Sequence, residues 1–223
     1  MLQCNNMDFL SEEKKLWKKG YKRVVCLDEA GRGPLAGPVV ASAVTVLNAK
    51  YRMTHVGIKD SKKLSQKQRE RFYKCLTKDS NIKWGIGSVS EKVIDKINIL
   101  EATKLAMGKA VKNLKNKLGM NSYDRGFSSK KIFLILDGKM SLNLPIPQKS
   151  IVKADGKVFS CIAAGILAKV TRDRIMQRFH KKYPHYGFDR HKGYPTRLHC
   201  RMLKRYGRCA IHRNSFQLKS KLH

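Results

Sequence analysis

Acidic residues are scarce in this chain: its 223 residues include 16 Asp and Glu against 48 Lys and Arg, for a formal net charge of +32 at pH 7. Its six cysteines contain no C-x-x-C pair, which argues against a zinc site and against a disulfide framework. No apolar stretch is long enough for a signal peptide or a membrane span, and there is no internal repeat or low-complexity segment. We therefore expect a cytoplasmic protein that does not associate with membranes.

The excess of basic residues points to a polyanionic partner, for which nucleic acid is the default. Ribosomal proteins and chaperone-like basic proteins share such a composition, so charge alone does not identify a function. The basic residues are interleaved with apolar ones along the whole chain, at a hydrophobic content of 42%, which is typical of a folded protein rather than a disordered arm. The length suits one α/β domain with a small C-terminal appendage.

One segment combines an apolar run, two acids and a glycine-rich turn. Residues 24–27 are apolar, Asp28 and Glu29 follow them, and a turn around Arg32 leads into a second apolar run at 39–46. Acids at the end of a strand, beside backbone that glycine lets approach a ligand closely, suit a metal–phosphate site. The alternative is a hairpin with two exposed acids, which explains the glycines but not the acids in a chain so short of them.

Hydrophobic periodicity and capping residues predict alternating helices and strands. The continuous apolar run at 132–136 is typical of a strand buried on both faces. Strands are predicted at 23–28, 38–47, 83–89, 132–136 and 150–155, and helices at 8–20, from Ser65 to about 76, 98–118, 160–179 and near 196–206.

Three of the predicted strands lead into acids: Asp28 with Glu29, Asp137, and Asp155. The ends of strands in a parallel or mixed sheet converge on one edge, where ligands bind. Four clustered carboxylates would repel one another without cations, and hard divalent ions with oxygen ligands resolve that conflict. Two such ions about 3.5 to 4 Å apart are the standard apparatus of phosphodiester chemistry. A single acid would instead be taken as a solvated strand end.

Several blocks, in one order along the chain, match a known family. They are Asp28-Glu29-Ala30-Gly31-Arg32-Gly33-Pro34-Leu35-Ala36-Gly37-Pro38, Asp60-Ser61-Lys62-Lys63-Leu64-Ser65, Asn98-Ile99-Leu100, Ala102-Thr103 ahead of Ala106-Met107, Leu136-Asp137-Gly138, Lys153-Ala154-Asp155, Ala163 to Arg174, His191-Lys192-Gly193-Tyr194 and His212-Arg213-Asn214-Ser215-Phe216. Over roughly residues 20–217, the chain resembles bacterial ribonuclease HII, a type 2 ribonuclease H. It departs from the family pattern at Ala154 and Pro195, where glycine is usual, and at Gly165, where serine is usual.

The resemblance implies a ribonuclease H-like fold: an α/β mixed five-stranded sheet flanked by helices, with a small C-terminal helical segment. The expected divisions are an N-terminal helix or extension at 1–22, a catalytic domain at 23–180 and a basic C-terminal helical segment at 181–223, packed on the catalytic domain of a monomer. The 22 residues before the first strand are too few for the N-terminal substrate-binding domain of ribonuclease HIII, the nearest rival family.

The resemblance also implies an activity. Such enzymes hydrolyse the RNA strand of RNA–DNA hybrids and cut 5′ of ribonucleotides embedded in duplex DNA, which serves ribonucleotide excision repair and DNA replication. Two ions, Mg²⁺ or Mn²⁺, act in catalysis and leave 3′-hydroxyl and 5′-phosphate ends. Asp28, Glu29, Asp137 and Asp155 fall on the family's four metal ligands.

Further residues fall on the family's substrate-binding positions. Gly31, Arg32 and Gly33 match the loop that senses the 2′-hydroxyl at the RNA–DNA junction, and Tyr194 matches the tyrosine that stacks on the following deoxyribose. From the residues themselves, Lys62 is the best phosphate-binding lysine of its loop, although an ordinary solvated lysine explains it almost as well.

Other nearby polar residues are given structural roles. Asp173 is expected to be an ion-pair partner on a helix, and His191, His199 and His212 are expected to be structural or phosphate-facing, not metal ligands. Two other functions fit the sequence less well. A non-catalytic basic nucleic-acid binder on the same fold would be expected to lack at least one of the four acids, and none is lost. Another nuclease of the same superfamily, such as a resolvase or an integrase core, would share the clustered acids but not the Gly-Arg-Gly turn beside an Asp-Glu pair.

Overall fold

A computed structural model describes residues 10–48, 51, 64–119, 131–154 and 158–217. These residues form a mixed five-stranded sheet, as the sequence predicts. The strands are β1 (Arg23–Ala30), β2 (Val39–Val46), β3 (Ile82–Val89), β4 (Ile132–Asp137) and β5 (Gln148–Ile151). Their spatial order is β3-β2-β1-β4-β5. β1 pairs antiparallel with β2, and β2 with β3, whereas β1 with β4 and β4 with β5 are parallel pairs.

Helices cover both faces of this sheet. They are α1 (Ser11–Lys18), α2 (Gln66–Lys78), α3 (Glu91–Lys117), α4 (Phe159–Lys182), α5 (Phe188–His191) and α6 (Arg197–Tyr206), with a short 3₁₀ turn at Pro184–Tyr186. Ser65 caps α2, as predicted, in a reciprocal capping box with Gln68. No helix in the described ranges is long and apolar enough to cross a membrane.

The two long helices form separate parts of the core with the sheet between them. Leu27 and Leu134 lie in one apolar cluster with residues of α3, and Val44 lies in another with residues of α4. All eight residues of β2 are buried, because this inner strand is covered on both faces. Cys26 and Cys161 are fully buried thiols in a third apolar cluster.

Two predicted boundaries are wrong. β5 ends at Ile151 instead of continuing to residue 155, because a turn follows in which Lys153 has a left-handed φ of 58°. The predicted helix at 98–118 is preceded by a further helical stretch from Glu91, and Asn98, with φ 65° and ψ 168°, separates the two. The Asn98 side chain accepts hydrogen bonds from the N–H groups of Leu100 (2.9 Å) and Glu101 (3.1 Å), so it caps the second stretch.

The chain after α4 packs against the loop that follows β1. Phe188 and Ile211 belong to one apolar cluster with Leu35 and Ala36 of that loop and with Met176 of α4. The Leu35 N–H donates to the Gly193 carbonyl at 2.8 Å, and the Gly37 N–H donates to the Ile211 carbonyl, also at 2.8 Å. The C-terminal segment therefore fixes the glycine-rich loop beside the predicted acids.

Candidate active site

Two parallel strands, β1 and β4, bring the predicted acids Asp28 and Asp137 to one edge of the sheet. Leu27 of β1 pairs with Leu136 of β4, so the residues that follow them, Asp28 and Asp137, are neighbours across the two strands. Both acids and Glu29 line the same cleft, which has a volume of about 450 Å³. The other predicted acid, Asp155, and the predicted phosphate-binding residue Lys62 lie outside the described residues.

The two strand-end aspartates are anchored by backbone N–H groups. Asp28 Oδ1 accepts the Glu29 N–H at 2.7 Å, and Asp137 Oδ1 accepts the Ala154 N–H at 2.7 Å. The second bond ties the turn after β5 to the end of β4. Within the described ranges, no group of three or more His, Cys, Asp or Glu side chains is arranged to hold a metal ion.

The ionised form of Glu29 is disfavoured by its surroundings. Burial raises the pKa of its carboxyl, the charge of Arg32 opposes that rise, and the charge of Asp137 adds to it. Its Oε1 accepts a long hydrogen bond of 3.4 Å from Arg32 Nη1, while its Oε2 is buried and has no hydrogen-bond partner among the described residues. An orphaned carboxylate oxygen next to a second carboxylate fits a bound divalent cation, which would compensate for both burial and repulsion.

The glycine-rich loop after β1 forms the adjoining wall of the cleft. Gly31, Arg32, Gly33 and Tyr194 all line it together with the three acids. Gly31 has a φ of +97°, and a Cβ there would collide with the side chain of Arg172 and lie 2.8 Å from the Pro38 carbonyl oxygen. The structure thus brings the predicted substrate-binding loop to the predicted acids, and the loop passes too close to its support for any side chain at position 31.

Two fully buried arginines hold this loop through backbone carbonyls. Arg172 of α4 donates to the carbonyls of Pro38 (2.9 Å), Lys192 (3.0 Å) and Ala36 (3.1 Å). Arg213 donates to those of Gly31 (2.6 Å), Arg32 (3.0 Å) and Gly37 (2.9 Å from Nε). Burial, with the nearby charge of Arg172, lowers the pKa of Arg213 to about 9. It therefore stays protonated at neutral pH and retains all its donors.

Sequence reasoning did not assign these arginines a role. The sequence could have indicated that Arg172 is buried. It lies four residues from Ala168 and four from Met176, both on the buried face of α4. A charged residue on such an apolar stripe needs buried partners. Arg213 offered no comparable local pattern, since the carbonyls that it binds belong to a loop about 180 residues away in the chain.

Tyr194 stands at the mouth of the cleft. The residue is 40% exposed, and a Cβ at Gly33 would lie 3.8 Å from the Cε1 atom of its ring. The Tyr194 carbonyl contacts His199 Nδ1 at 2.9 Å, which ties the backbone of Tyr194 to α6. An exposed aromatic ring on a fixed backbone is suited to stacking on part of a ligand.

Two basic residues of the cleft were also missed. Arg69 of α2 and Lys169 of α4 line it together with the acids and the loop. Lys169 Nζ pairs with Asp173 Oδ1 at 2.7 Å, which confirms the prediction of Asp173 as an ion-pair partner on a helix. No pattern singled out these two among the 48 Lys and Arg of the chain.

The three histidines form a buried cluster behind Tyr194. His191 stacks on His199 with ring centroids 4.4 Å apart, and Nε2 of His199 lies 3.0 Å from Nε2 of His212. Burial lowers the pKa values of His199 and His212, each to about 4. These rings support the C-terminal segment from inside, so the structural role expected for them is the one that the geometry favours.

Comparisons with known proteins agree with this geometry. The family model for ribonuclease HII matches residues 25–219. Ribonuclease HII of Acetivibrio thermocellus is 48% identical over 204 residues, covering 92% of this chain and 73% of that protein. The Chlamydia muridarum ribonuclease HII is 46% identical, covering 92% and 86%. The crystal structure of ribonuclease H2 from Pyrococcus horikoshii superposes with a TM-score of 0.64 at 27% identity, covering 87% of this chain and 94% of that one. The chain therefore belongs to the ribonuclease HII family and is a ribonuclease H.

Proposed function

We propose that this ribonuclease H acts on the RNA strand of RNA–DNA hybrids and also cuts 5′ of single ribonucleotides embedded in duplex DNA, leaving 3′-hydroxyl and 5′-phosphate ends. The observation that carries the proposal is the shared cleft: Asp28, Glu29 and Asp137 line it together with the Gly31–Gly33 loop and Tyr194. The proposed metal-binding carboxylates and the groups proposed to recognise a sugar therefore line the same cleft.

The acids would act by holding divalent cations, on which the ribonuclease HII family depends. Asp28, Glu29, Asp137 and Asp155 are the proposed ligands of two ions, Mg²⁺ or Mn²⁺. Such ions lower the pKa of a bound water and stabilise the charge of the leaving oxygen. Support comes from the orphaned Oε2 of Glu29 and from the repulsion between Glu29 and Asp137, because a carboxylate set of this kind is unfavourable without a cation.

The glycine-rich loop supplies donors for recognition of the ribonucleotide. Its carbonyls at Gly31 and Arg32 already accept from Arg213. The N–H groups of Arg32 and Gly33, in contrast, donate to no other described residue. A 2′-hydroxyl accepts as well as donates hydrogen bonds and distinguishes RNA from DNA at one nucleotide. We assign these two N–H groups to the 2′-hydroxyl or its neighbouring phosphate.

The remaining walls of the cleft position the strand. Tyr194 would stack on the sugar that follows the ribonucleotide, and Arg69 and Lys169 would neutralise backbone phosphates. We further propose that the enzyme works as a cytoplasmic monomer, with a catalytic domain at 23–180 between the extension at 1–22 and the C-terminal segment at 181–223, in ribonucleotide excision repair and DNA replication.

The proposal is tested with three labelled duplexes of one sequence: DNA with a single ribonucleotide, a continuous RNA–DNA hybrid, and DNA alone. We expect cutting of the first two in Mg²⁺ or Mn²⁺, 5′ of the ribonucleotide in the first, and none of the third. Asp137→Asn is the inactive control. Cutting of the hybrid alone would contradict the single-ribonucleotide activity, and binding without any cleavage in either metal would favour a non-catalytic nucleic-acid binder.

A further inference from the structure

A second cleft lies on the same two helices as the candidate active site. It has a volume of about 430 Å³ and is lined by Tyr73 of α2 and by Thr171, Arg174, Gln177, Arg178 and Lys181 of α4. We call these six residues the α2–α4 groove. The α4 residues are spaced three or four apart, so they share one face of the helix.

The groove continues the basic lining of the active-site cleft. Arg69 of α2 and Lys169 of α4 line that cleft. The groove lining begins four residues after Arg69, at Tyr73, and two residues after Lys169, at Thr171. With a rise of about 1.5 Å per residue, Arg178 lies about 13 Å beyond Lys169 along α4. That distance matches roughly four nucleotides of a duplex strand at about 3.4 Å each.

Arg174 is fixed in place within the groove. Its Nη2 and Nε donate to the two carboxylate oxygens of Glu70 at 2.6 and 3.3 Å, and its guanidinium lies 4.2 Å from the ring centroid of Tyr73. Because a bidentate ion pair and a cation–π contact both orient the guanidinium, little side-chain entropy remains to be lost on binding. The Thr171 hydroxyl has no hydrogen-bond partner among the described residues.

The charges of the groove are not neutralised from within. The two acids beside it, Glu70 and Asp173, are already paired with Arg174 and Lys169. Arg178 and Lys181 are exposed and have no ion pair with any described residue. Two adjacent cations without acidic partners, next to a preorganised arginine, have the chemistry of a phosphate-binding surface.

We propose that the α2–α4 groove binds the phosphodiester backbone of the duplex about four nucleotides beyond the phosphate that Lys169 would neutralise. This inference rests on the proposed function in one respect: the duplex bound in the groove is the one whose strand enters the active-site cleft. Arg178 and Lys181 contact phosphates, while Arg174, Tyr73 and Thr171 form the fixed floor. The groove thus adds affinity for one arm of the duplex without taking part in the reaction.

The test removes two charges at exposed positions, in the double variant Arg178→Gln with Lys181→Gln. The substrates carry one ribonucleotide in duplex DNA with long arms, or with either the 5′ or the 3′ arm trimmed to three base pairs. The matched control removes two exposed charges from α3, on the other face of the sheet, in Lys92→Gln with Lys112→Gln.

We expect KM for the long duplex to rise about fivefold with kcat unchanged, and the dependence of log affinity on log salt to become shallower by about 1.8, as for two lost phosphate contacts. Trimming the arm that lies on the groove should remove the difference between this variant and the wild type, and the α3 control should behave as the wild type. An unchanged KM, an equal rise on every duplex, or the same rise in the α3 control would overturn the proposal.

The two proposals fail in different ways. If the wild type cuts none of the duplexes, the proposed function fails, and the groove is still tested by fluorescence anisotropy with two all-DNA duplexes, a long one and one too short to reach from the cleft to the groove. Weaker binding of the groove variant than of the α3 control, only on the long duplex, would then support the groove. Equal binding by both variants would overturn it.

Discussion

The structure around position 31, at the candidate site, accommodates only glycine. Gly31 combines a φ of +97° with contact distances that leave no space for a Cβ beside Arg172 and Pro38. Gly20 provides a natural comparison, since its φ is +92° but a Cβ there would have no neighbouring atom within 4 Å. The two glycines therefore separate the effect of backbone conformation from that of crowding.

We expect Gly31→Ala to lower the free energy of unfolding by more than Gly20→Ala. Both variants incur the cost of a left-handed alanine, about 1 to 2 kcal/mol, and only Gly31→Ala adds a collision with Arg172 and Pro38. Urea denaturation followed by circular dichroism measures both. Equal losses of stability in the two variants would show that crowding at position 31 is unimportant.

At this same scale, the sequence predicted residues whose role depends on local pattern. Asp28 and Asp137 could be placed because each ends an apolar run, and parallel pairing then brings them together. Arg213 could not, because its partners Gly31 and Gly37 are far away in the chain. Residues that position a site through long-range contacts leave little trace in the sequence around them.

Among the elements, α4 connects most parts of the site. It contributes Lys169 to the cleft, Arg172 to the support of the loop, and Arg174 to the α2–α4 groove. It also packs on β1 and β2 through its buried face. A change on the buried face of α4 should therefore affect both stability and the geometry of the site.

We expect Arg172→Met to destabilise the fold by about 3 to 5 kcal/mol, because it leaves the buried carbonyls of Ala36, Pro38 and Lys192 without their donor. Arg178→Met, on an exposed position of the same helix, should change stability by about 0.5 kcal/mol or less. Thermal denaturation compares the two. A small effect of Arg172→Met would mean that the loop holds its conformation without this arginine.

Element boundaries were predicted where local signals were strong and missed where they were not. The capping box at Ser65 and the apolar run of β4 placed their elements well. The helical stretch from Glu91 to residue 97 was missed because Asn98 interrupts the helical pattern. β5 was made too long because nothing in residues 150–155 shows that Lys153 takes a left-handed conformation.

For the molecule as a whole, the buried histidines predict how stability varies with pH. Burial lowers the pKa values of His199 and His212 from 6.5 to about 4 in the folded state. Below pH 6.5 the unfolded chain therefore binds more protons than the folded one. The stability that these rings contribute is complete above pH 6.5 and is lost as the pH falls towards 4.

We expect the wild type to lose a few kcal/mol of stability between pH 7 and pH 5, at about 1.4 kcal/mol per unit of pKa change, less solvent screening. His199→Gln should show a shallower loss over the same range, whatever its stability at pH 7. Hydrogen bonds from Lys149 and Lys15 lower the pKa of Glu12 to about 2, so Glu12 changes the pH dependence of stability only below about pH 4.5. Identical pH slopes in the variant and the wild type would contradict the role of the histidine cluster.

The four proposed metal ligands stand out in a molecule with a net charge of +32. They account for a quarter of its 16 acidic residues, and the three within the described ranges line one cleft. Under the proposed function, the basic residues would attract the nucleic acid, and this local concentration of carboxylates would attract the cations.

The most direct measurement is Mn²⁺ binding by isothermal titration calorimetry to the wild type, Asp137→Asn, Asp155→Asn and, as a control, Glu101→Gln, which removes an exposed acid on α3. We expect saturable binding by the wild type and the control, and at least about tenfold weaker binding by the two aspartate variants, since each loses a charged oxygen ligand. Equal affinities in all four proteins would contradict the assignment of Asp137 and Asp155 as metal ligands.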